Sequence, residues 1–576
     1  MISKVTLEYF KKFDKEEFTL GDAIVLAGPN NSGKSTLLQA VSVWNLAVQR
    51  WHQERGIDKS KSKSKSAPPL RTGFPVSRKD FTAIPLRDMD LLWFNRSTAY
   101  SKDEKADSKP GQPKLATIGI EGRGLGSELW QVKVSLRYTS REQIYVKLLD
   151  KDDKPLTDLP SGADKTQVVH IPPFSGIGAE ETRYDHGYQN LLIGQGKPGD
   201  ILRNLLLEIF NKTPENWRQL KEDIRELFDY EIVDPSYADH DPFIVVEYRH
   251  SASRKAFDLA SAGSGFHQVL TLFGFIYARE ASVLLVDEPD AHEHIILQRQ
   301  VYERLRTVAR RRNCQLIVST HSEVILEETS PQQILSFYGR PHTIRVDEER
   351  DRVREALRHL SSLDILETEA GHNILYTEAD SDLNILSALA KALAHKSVQF
   401  FSHPYHHPLN GSDPREAKNH FFALKAICPL IRGILILDRD NKEIPEHDIS
   451  ADGLDVVRWQ RYEIENYLLV PNAILRYIKN ATTAEGELFQ APLIKRAEDF
   501  LKKQFTPDAF QNPLTDSPFL IKIAASKDVL PQLFSAVELT VTKKDYYQIA
   551  ECFEHSEVHS DVRGTLDKIG DFLMWT

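Results

Sequence analysis

Lys34, Ser35 and Thr36 follow Gly33, and the stretch Gly28-Pro29-Asn30-Asn31-Ser32-Gly33-Lys34-Ser35 has the spacing G-x-x-x-x-G-K-[ST]. That combination is chemistry for phosphate. Gly28 and Gly33 allow tight backbone geometry, so that the N–H groups of Asn30, Asn31, Ser32 and the residues after them turn toward phosphate oxygens. Lys34 supplies positive charge to the β- and γ-phosphates, and Ser35 supplies a hydroxyl to Mg²⁺. A second set of groups is Asp287-Glu288. Asp287 is placed to hold Mg²⁺ through its water shell, and Glu288 to orient or deprotonate an attacking water. His321, after Gln315-Leu316-Ile317-Val318-Ser319-Thr320, is placed to sense a γ-phosphate. A third set consists of Glu378, Asp438-Arg439-Asp440 and Glu465. Carboxylates of this kind offer the hard oxygen ligands that one or two Mg²⁺ ions need for phosphodiester chemistry.

These groups are useful only if the chain positions them. Ala23-Ile24-Val25-Leu26-Ala27 reads as a buried strand before the glycine-rich loop, and Thr36 to Val41 opens a helix. Val283-Leu284-Leu285-Val286 is a second buried strand, ending in Asp287, and Gln315–Thr320 a third, ending at His321. Ile374-Leu375-Tyr376-Thr377 and Ile434-Leu435-Ile436-Leu437 are two more, ending in Glu378 and Asp438. Parallel strands bring their carboxyl ends to one edge, where open α/β sheets bind ligands, so Glu378, Asp438 and Asp440 are expected to share one metal site. Ile2 to Phe18 alternates and predicts a hairpin. Segments at Ala116–Ile120, Trp130–Val134 and Ile144–Leu148 predict antiparallel strands, and Ile201–Phe228 has helical spacing; together they read as an inserted lobe. Lys59 to Ser66 alternates Lys and Ser, and predicts a solvated loop. Asp347 to Glu367 predicts a polar connector.

The length of 576 residues is too great for one core. A net charge of −10 gives no whole-chain basic footprint, although a local basic groove is compatible with it. Cys314, Cys428 and Cys552 have no metal-ligand spacing and read as reduced thiols, which together with the lack of a secretory signal predicts a cytoplasmic protein. No apolar run reaches membrane-spanning length, so no membrane partner is expected.

A phosphate loop, the small-residue stretch Ser261-Ala262-Gly263 ahead of a helix, Asp287-Glu288 and a strand-ending histidine occur in an order that resembles an ABC-type ATPase head over about residues 1–345, with insertions at about 50–250. The glutamine expected between the phosphate loop and Ser261 has no clear counterpart. That resemblance implies a dimer of heads in which Ser261 and Gly263 complete the nucleotide site of the partner subunit. After the connector at 346–370, residues 371–576, with Glu378 at one strand end and Asp438 and Asp440 at a later one, are similar to the TOPRIM fold, with helices at the C-terminal end. A head followed by TOPRIM resembles the overcoming-lysogenization-defect (OLD) family of nucleases, which includes phage-defence proteins of the Gabija type. The stretch Glu465-Asn466-Tyr467-Leu468-Leu469 is similar to the TOPRIM subunit of the PARIS system. The resemblance implies Glu378, Asp438, Asp440 and Glu465 as metal acids and Lys527 as the catalytic lysine, with Mg²⁺ or Mn²⁺. Ala379 stands where the family has glycine. The expected function is an ATP-binding and ATP-hydrolysing, Mg²⁺-dependent endonuclease acting on DNA, with tRNA as second choice, in anti-phage defence, with an accessory defence protein as a further candidate partner. An ATPase scaffold or sensor with a degenerate TOPRIM lobe, and a DNA-repair ATPase of the recombination class, are the competing readings; the short, interrupted insertion disfavours the latter, which needs a long coiled coil.

Overall fold

Val5 opposite Phe18 and Phe10 opposite Phe13 set the register of the expected hairpin, β1 (Ile2–Phe10) and β2 (Phe13–Thr19). The chain then enters β3 (Ala23–Ala27) and, past the glycine-rich loop, helix α1 (Lys34–Lys61). This computed structural model describes residues 1–61, 72–101, 111–124, 128–238, 241–290, 295–360, 364, 367–368, 370–411, 413–428, 430–439, 445, 449–482 and 487–573. The chain forms two compact units, Met1–Leu357 and Arg358–Thr576.

In the first unit β4 (Phe74–Ser77), β5 (Ala116–Arg123), β6 (Leu129–Ser140) and β7 (Gln143–Leu149) join the hairpin in a six-stranded antiparallel sheet, ordered β2-β1-β5-β6-β7-β4. The three predicted strands pair with one another and with the hairpin in this one sheet. Leu7 pairs with Ile118 and Val5 with Ile120, so β5 continues the sheet that the N-terminus begins. The helical run also divides. Thr213 leaves helical geometry and Pro214 starts a new helix, giving α2 (Leu202–Lys212) and α3 (Pro214–Phe228). Proline is suited to a first helical position because its missing N–H has no partner to lose there. Helix α1 continues to Lys61, so the start of the Lys/Ser run is helical; Ser62 to Ser66 lie outside the described residues.

The second sheet carries the chemistry. Its strands are β8 (Val168–Ile171), β9 (Val283–Asp287), β10 (Gln315–Thr320), β11 (Ile334–Ser336) and β12 (His342–Thr343), with β3 among them, ordered β12-β11-β3-β10-β9-β8. All pairings are parallel except β11 with β12. Val283, Leu284, Leu285 and Val286 are all buried, as are Leu316, Ile317 and Val318. Strands covered on both faces read as unbroken apolar runs, and each such side chain contributes about 1.5–3 kcal/mol on burial. Helix α1 is wedged against both sheets: Leu38, Val41 and Trp44 share one core with Val132 and Leu285, and Trp44 Nε1 donates to Val132 O at 3.1 Å. That core fixes the direction of the helix whose N-terminus faces the phosphate loop.

The second unit is built on a four-stranded parallel sheet. Its strands are β13 (Ile374–Thr377), β14 (His406–Pro408), β15 (Gly433–Leu437) and β16 (Leu454–Arg458), ordered β14-β13-β15-β16. Helix α4 in the first unit (Ser264–Ala278) and helices α5 (Asp380–Ala392) and α6 (Arg415–Ile427) in the second complete the elements that position functional side chains. The second unit has its own core, in which Ile385 and Leu389 of α5 pack with Ile434 and with Leu530 and Ile549 of the C-terminal helices. Helix Asp347–His359 occupies the predicted connector. Among the described residues no helix is long and apolar enough to cross a membrane.

Candidate nucleotide and metal sites

In the first unit β3, β10 and β9 lie side by side and parallel, which brings the phosphate loop, His321 and Asp287-Glu288 to one edge. Two positions in the loop demand glycine. Gly33 has φ +110°, and a Cβ there would lie 2.5 Å from Phe13 Cζ; a Cβ on Gly28 would lie 2.7 Å from Phe337 Cβ. Asn31 is also left-handed, at φ 62°. Lys34 is buried, its ammonium donating to Gly28 O at 2.6 Å and Pro29 O at 2.7 Å. Burial pulls its pKa down to about 8, against the pull of Glu288 and Asp287. Ser35 Oγ donates to Asp287 Oδ1 at 3.1 Å, and Ser319 Oγ donates to the same oxygen. His321 Nε2 is 2.7 Å from Glu288 Oε1, and this hydrogen bond holds the Glu288 carboxyl below its ordinary range. Glu288 itself has φ 54°, the left-handed region, anchored by its N–H to Ser319 O at 3.1 Å.

A cleft of 530 Å³ opens here, lined by Lys11 and Lys12 of the β1–β2 turn, Asn30–Thr36, Glu288, Asn95 and Arg96. The residues fit a triphosphate with its cation. The buried hydroxyl of Ser32 has no hydrogen-bond partner among the described residues, the glycine cradle has no room for a Cβ, and the hydroxyl of Ser35 already meets the Asp287 carboxylate. Asn95 and Arg96 were not legible as cleft residues; they come from a short turn and have φ 50° and 56°.

Ser261 lies ahead of α4, as expected. It ends a single tight turn, and its hydroxyl donates to Asp258 O at 2.7 Å. Gly263 caps α4, so the exposed hydroxyl in the first turn of that helix is that of Ser264. The spacing of small residues did not distinguish the two serines; only the helix start does.

In the second unit β13 and β15 are adjacent and parallel, so Glu378 and Asp438 emerge together, and Asp438 N–H donates to Glu378 Oε1 at 3.0 Å. Burial, then Glu378, Asp382, Glu465 and Glu463, push the Asp438 carboxyl up to about 9. Asp382 is buried, accepts from Ala379 N–H at 3.1 Å, and is raised to about 6, chiefly by burial. Glu463 accepts from Ser526 Oγ at 2.9 Å, and burial raises its carboxyl. Glu465 is fully buried and likewise raised, with Oε1 2.8 Å from Lys543 Nζ. Burial works against the Lys543 ammonium, but Glu465 outweighs it and its pKa is raised. Ala379 has φ −147°, extended backbone that any residue adopts, so glycine is not required there.

Three expectations need correction or qualification. Lys527 is exposed, and the lysine paired with the acids is Lys543, from a turn with no periodic signal to mark it. Asp440 lies outside the described residues. Glu378 and Asp438 do come together, but with Glu465 they form no tight three-acid group: among the described residues, the one group of three side chains with ligand atoms within 4.8 Å of each other lies elsewhere. Clustered buried acids balanced by a single lysine fit a divalent cation, which would offset their repulsion.

Fold and phosphate site together define a P-loop ATPase-type domain of mixed α/β structure. The chain belongs to the family described as "AAA domain, putative AbiEii toxin, Type IV TA system", which matches residues 23–327. No curated protein matches it. Among solved structures it is similar to an SMC head bound to the C-winged helix domain of ScpA, with 13% identity over 58% of this chain and 94% of that one, and a TM-score of 0.34. It is also similar to the SMC head domain from Thermotoga maritima, with 15% identity over 60% of this chain and 99% of that one, and a TM-score of 0.32. A third is the Smc head domain with an extended coiled coil bound to the C-terminal domain of ScpA derived from Pyrococcus furiosus, with 14% identity over 60% of this chain and 94% of that one, and a TM-score of 0.32.

Proposed function

We propose that this protein is an ATP-controlled, divalent-metal-dependent nuclease of the OLD type, with an ABC-type head and a TOPRIM-like second unit. The observation that carries the proposal is the meeting of Glu378 and Asp438 at the ends of adjacent parallel strands, inside a group of acids that includes Asp382, Glu463 and Glu465. So many buried carboxylates raise one another's pKa and serve no packing purpose, whereas cation binding and phosphodiester hydrolysis use them directly.

In this reading Glu378, Asp438 and Glu465, with Asp440, hold Mg²⁺ or Mn²⁺. The bound cation supplies an activated water and neutralises charge on the phosphate. Lys543 pairs with Glu465 and works against the burial that raises its carboxyl. In the head, Lys34 holds the triphosphate, Ser35 and Asp287 hold its Mg²⁺, and Glu288 takes a proton from water with His321 fixing its orientation. Two heads pair, with the first turn of α4, Gly263 and Ser264, facing the nucleotide of the partner subunit. DNA is the preferred substrate and tRNA the second. Anti-phage defence is the setting we favour, and the family description as a putative toxin supports an activity that must be restrained.

The test is cleavage of duplex DNA and of a tRNA pool by purified protein with Mg²⁺ or Mn²⁺, with and without ATP. We expect one of the two substrates to be cut and chelation to stop it. No cleavage of either under any condition would favour the scaffold reading, in which the second unit only binds.

A further inference from the structure

Away from the acid edge, the second unit holds a second cluster of ligand-bearing side chains. Asp364, His407 of β14 and His420 of α6 bring one ligand atom each to within 4.8 Å of one another. Asp364 and His420 are buried and His407 half-buried. The His407 and His420 rings lie 4.2 Å apart, inclined by 28°.

The cluster is not a satisfied hydrogen-bond network. His420 Nδ1 is bonded to Tyr376 Oη at 2.8 Å, which leaves Nε2 directed at Asp364 Oδ2, 3.5 Å away. That separation is beyond hydrogen-bond length. His420 is only 4% exposed, and its Nε2 has no hydrogen-bond partner. A buried ring nitrogen left without a partner is destabilising. Asp364 is meanwhile held in place by Tyr405, whose hydroxyl donates to Oδ1 at 3.0 Å. Two of the three ligands are thus oriented from behind, as metal ligands are: Tyr376 fixes the far nitrogen of the His420 imidazole, and Tyr405 fixes the Asp364 carboxylate.

We infer that Asp364, His407 and His420 form a binding site for a zinc-class divalent cation, separate from the acid edge. Two imidazoles and one carboxylate match zinc; Mg²⁺ prefers oxygen ligands throughout. With Nδ1–H donating to Tyr376, Nε2 of His420 presents its lone pair to the metal. Zinc bonds of about 2.0–2.2 Å draw the three groups inward and leave a fourth position for water. The ligands come from β14, from α6 and from Asp364, so the ion ties Asp364 to the edge strand of the sheet. The stretch Ser402-His403-Pro404-Tyr405-His406-His407-Pro408 is the sequence trace of the site.

The experiment uses the full chain, stripped with chelator and reloaded with Zn²⁺ or Co²⁺. We expect one tightly held equivalent of Zn²⁺ after desalting, a visible Co²⁺ spectrum of tetrahedral type, and a higher melting temperature on loading. His407→Ala and Asp364→Asn should lose the equivalent while keeping the wild-type circular dichroism. Tyr376→Phe, which keeps shape and packing, should retain it with about 10- to 100-fold weaker affinity in chelator competition. Asp438→Ala should leave it unchanged. The inference is overturned if the wild-type chain holds no tight equivalent, or if folded His407→Ala and Tyr376→Phe bind zinc as wild type does.

Discussion

Lys34 and Asp438 have displaced pKa values, and each predicts a property that weakens as pH rises. Lys34 is held near pKa 8 by burial, with its ammonium on the carbonyls of Gly28 and Pro29. A triphosphate would keep that ammonium charged, so binding becomes coupled to proton uptake above pH 8. ATP affinity should be flat below pH 8 and fall by up to about tenfold per unit above it, as isothermal titration would register. Lys34→Ala should abolish binding. Glu288→Gln should bind ATP yet hydrolyse it about 10²–10⁴-fold more slowly, because the glutamate acts only on the water; phosphate release decides that point, and full turnover would remove Glu288 from the role of base. Asp438 acts on stability instead, over a wider pH range. Its folded pKa, about 9, lies above the value of about 4 in an unfolded chain. The folded state therefore binds the extra proton, and this stabilisation is complete below pH 4 and lost as pH rises toward 9. In metal-free buffer, urea unfolding should show stability declining from pH 5 to pH 9, and Asp438→Asn should flatten the decline.

The helix α4 shows what one element adds to its residues. A serine in the first turn of a helix has exposed N–H groups and a positive dipole end beside it, whereas Ser261 spends its hydroxyl on Asp258 in the preceding turn. Ser264→Arg should therefore stop ATP hydrolysis, and Ser261→Ala should reduce it less than about threefold, the effect of one exposed hydrogen bond. Mixing Lys34→Ala subunits with Ser264→Arg subunits should restore one complete site per heterodimer; a mixture that forms heterodimers but stays inactive argues against two heads sharing a nucleotide. How much the sequence revealed follows the same division between local and distant signals. Buried parallel strands are continuous apolar runs, so β3, β9, β10, β13 and β15, with the groups at their ends, were legible. The pairing of β1 with β5 was not, because the register between segments a hundred residues apart leaves no local mark. Lys543 and Asn95 were missed for a related reason: they sit in short turns, where no periodicity points a side chain anywhere. Asp382 stood in plain view after Glu378, but only the helix start shows it turned inward to the Ala379 N–H.

At the scale of the whole chain, the two compact units have separate cores and separate sets of acids. Ser35 and Asp287 stand together at the phosphate loop, and Glu378, Asp438 and Glu465 stand in the second unit. If the second unit cuts nucleic acid, the two activities must be separable by mutation. Asp438→Ala removes one buried carboxylate and its repulsion with Glu378, so the variant should fold and, without metal, melt no lower than wild type. It should lose cleavage by at least about 10²-fold, the usual range for groups that act on the reacting water, and weaken Mn²⁺ binding. ATP hydrolysis should stay within about twofold of wild type, since exposed or remote changes seldom couple between independent sites. Lys34→Ala gives the converse control: ATP hydrolysis disappears, and cleavage measured with and without ATP reports whether nucleotide licenses or restrains the second unit. Both assays belong on the same preparation. Undiminished cleavage by Asp438→Ala would sink the metal mechanism and promote the scaffold reading, while loss of both activities with a lowered melting temperature would trace the defect to folding.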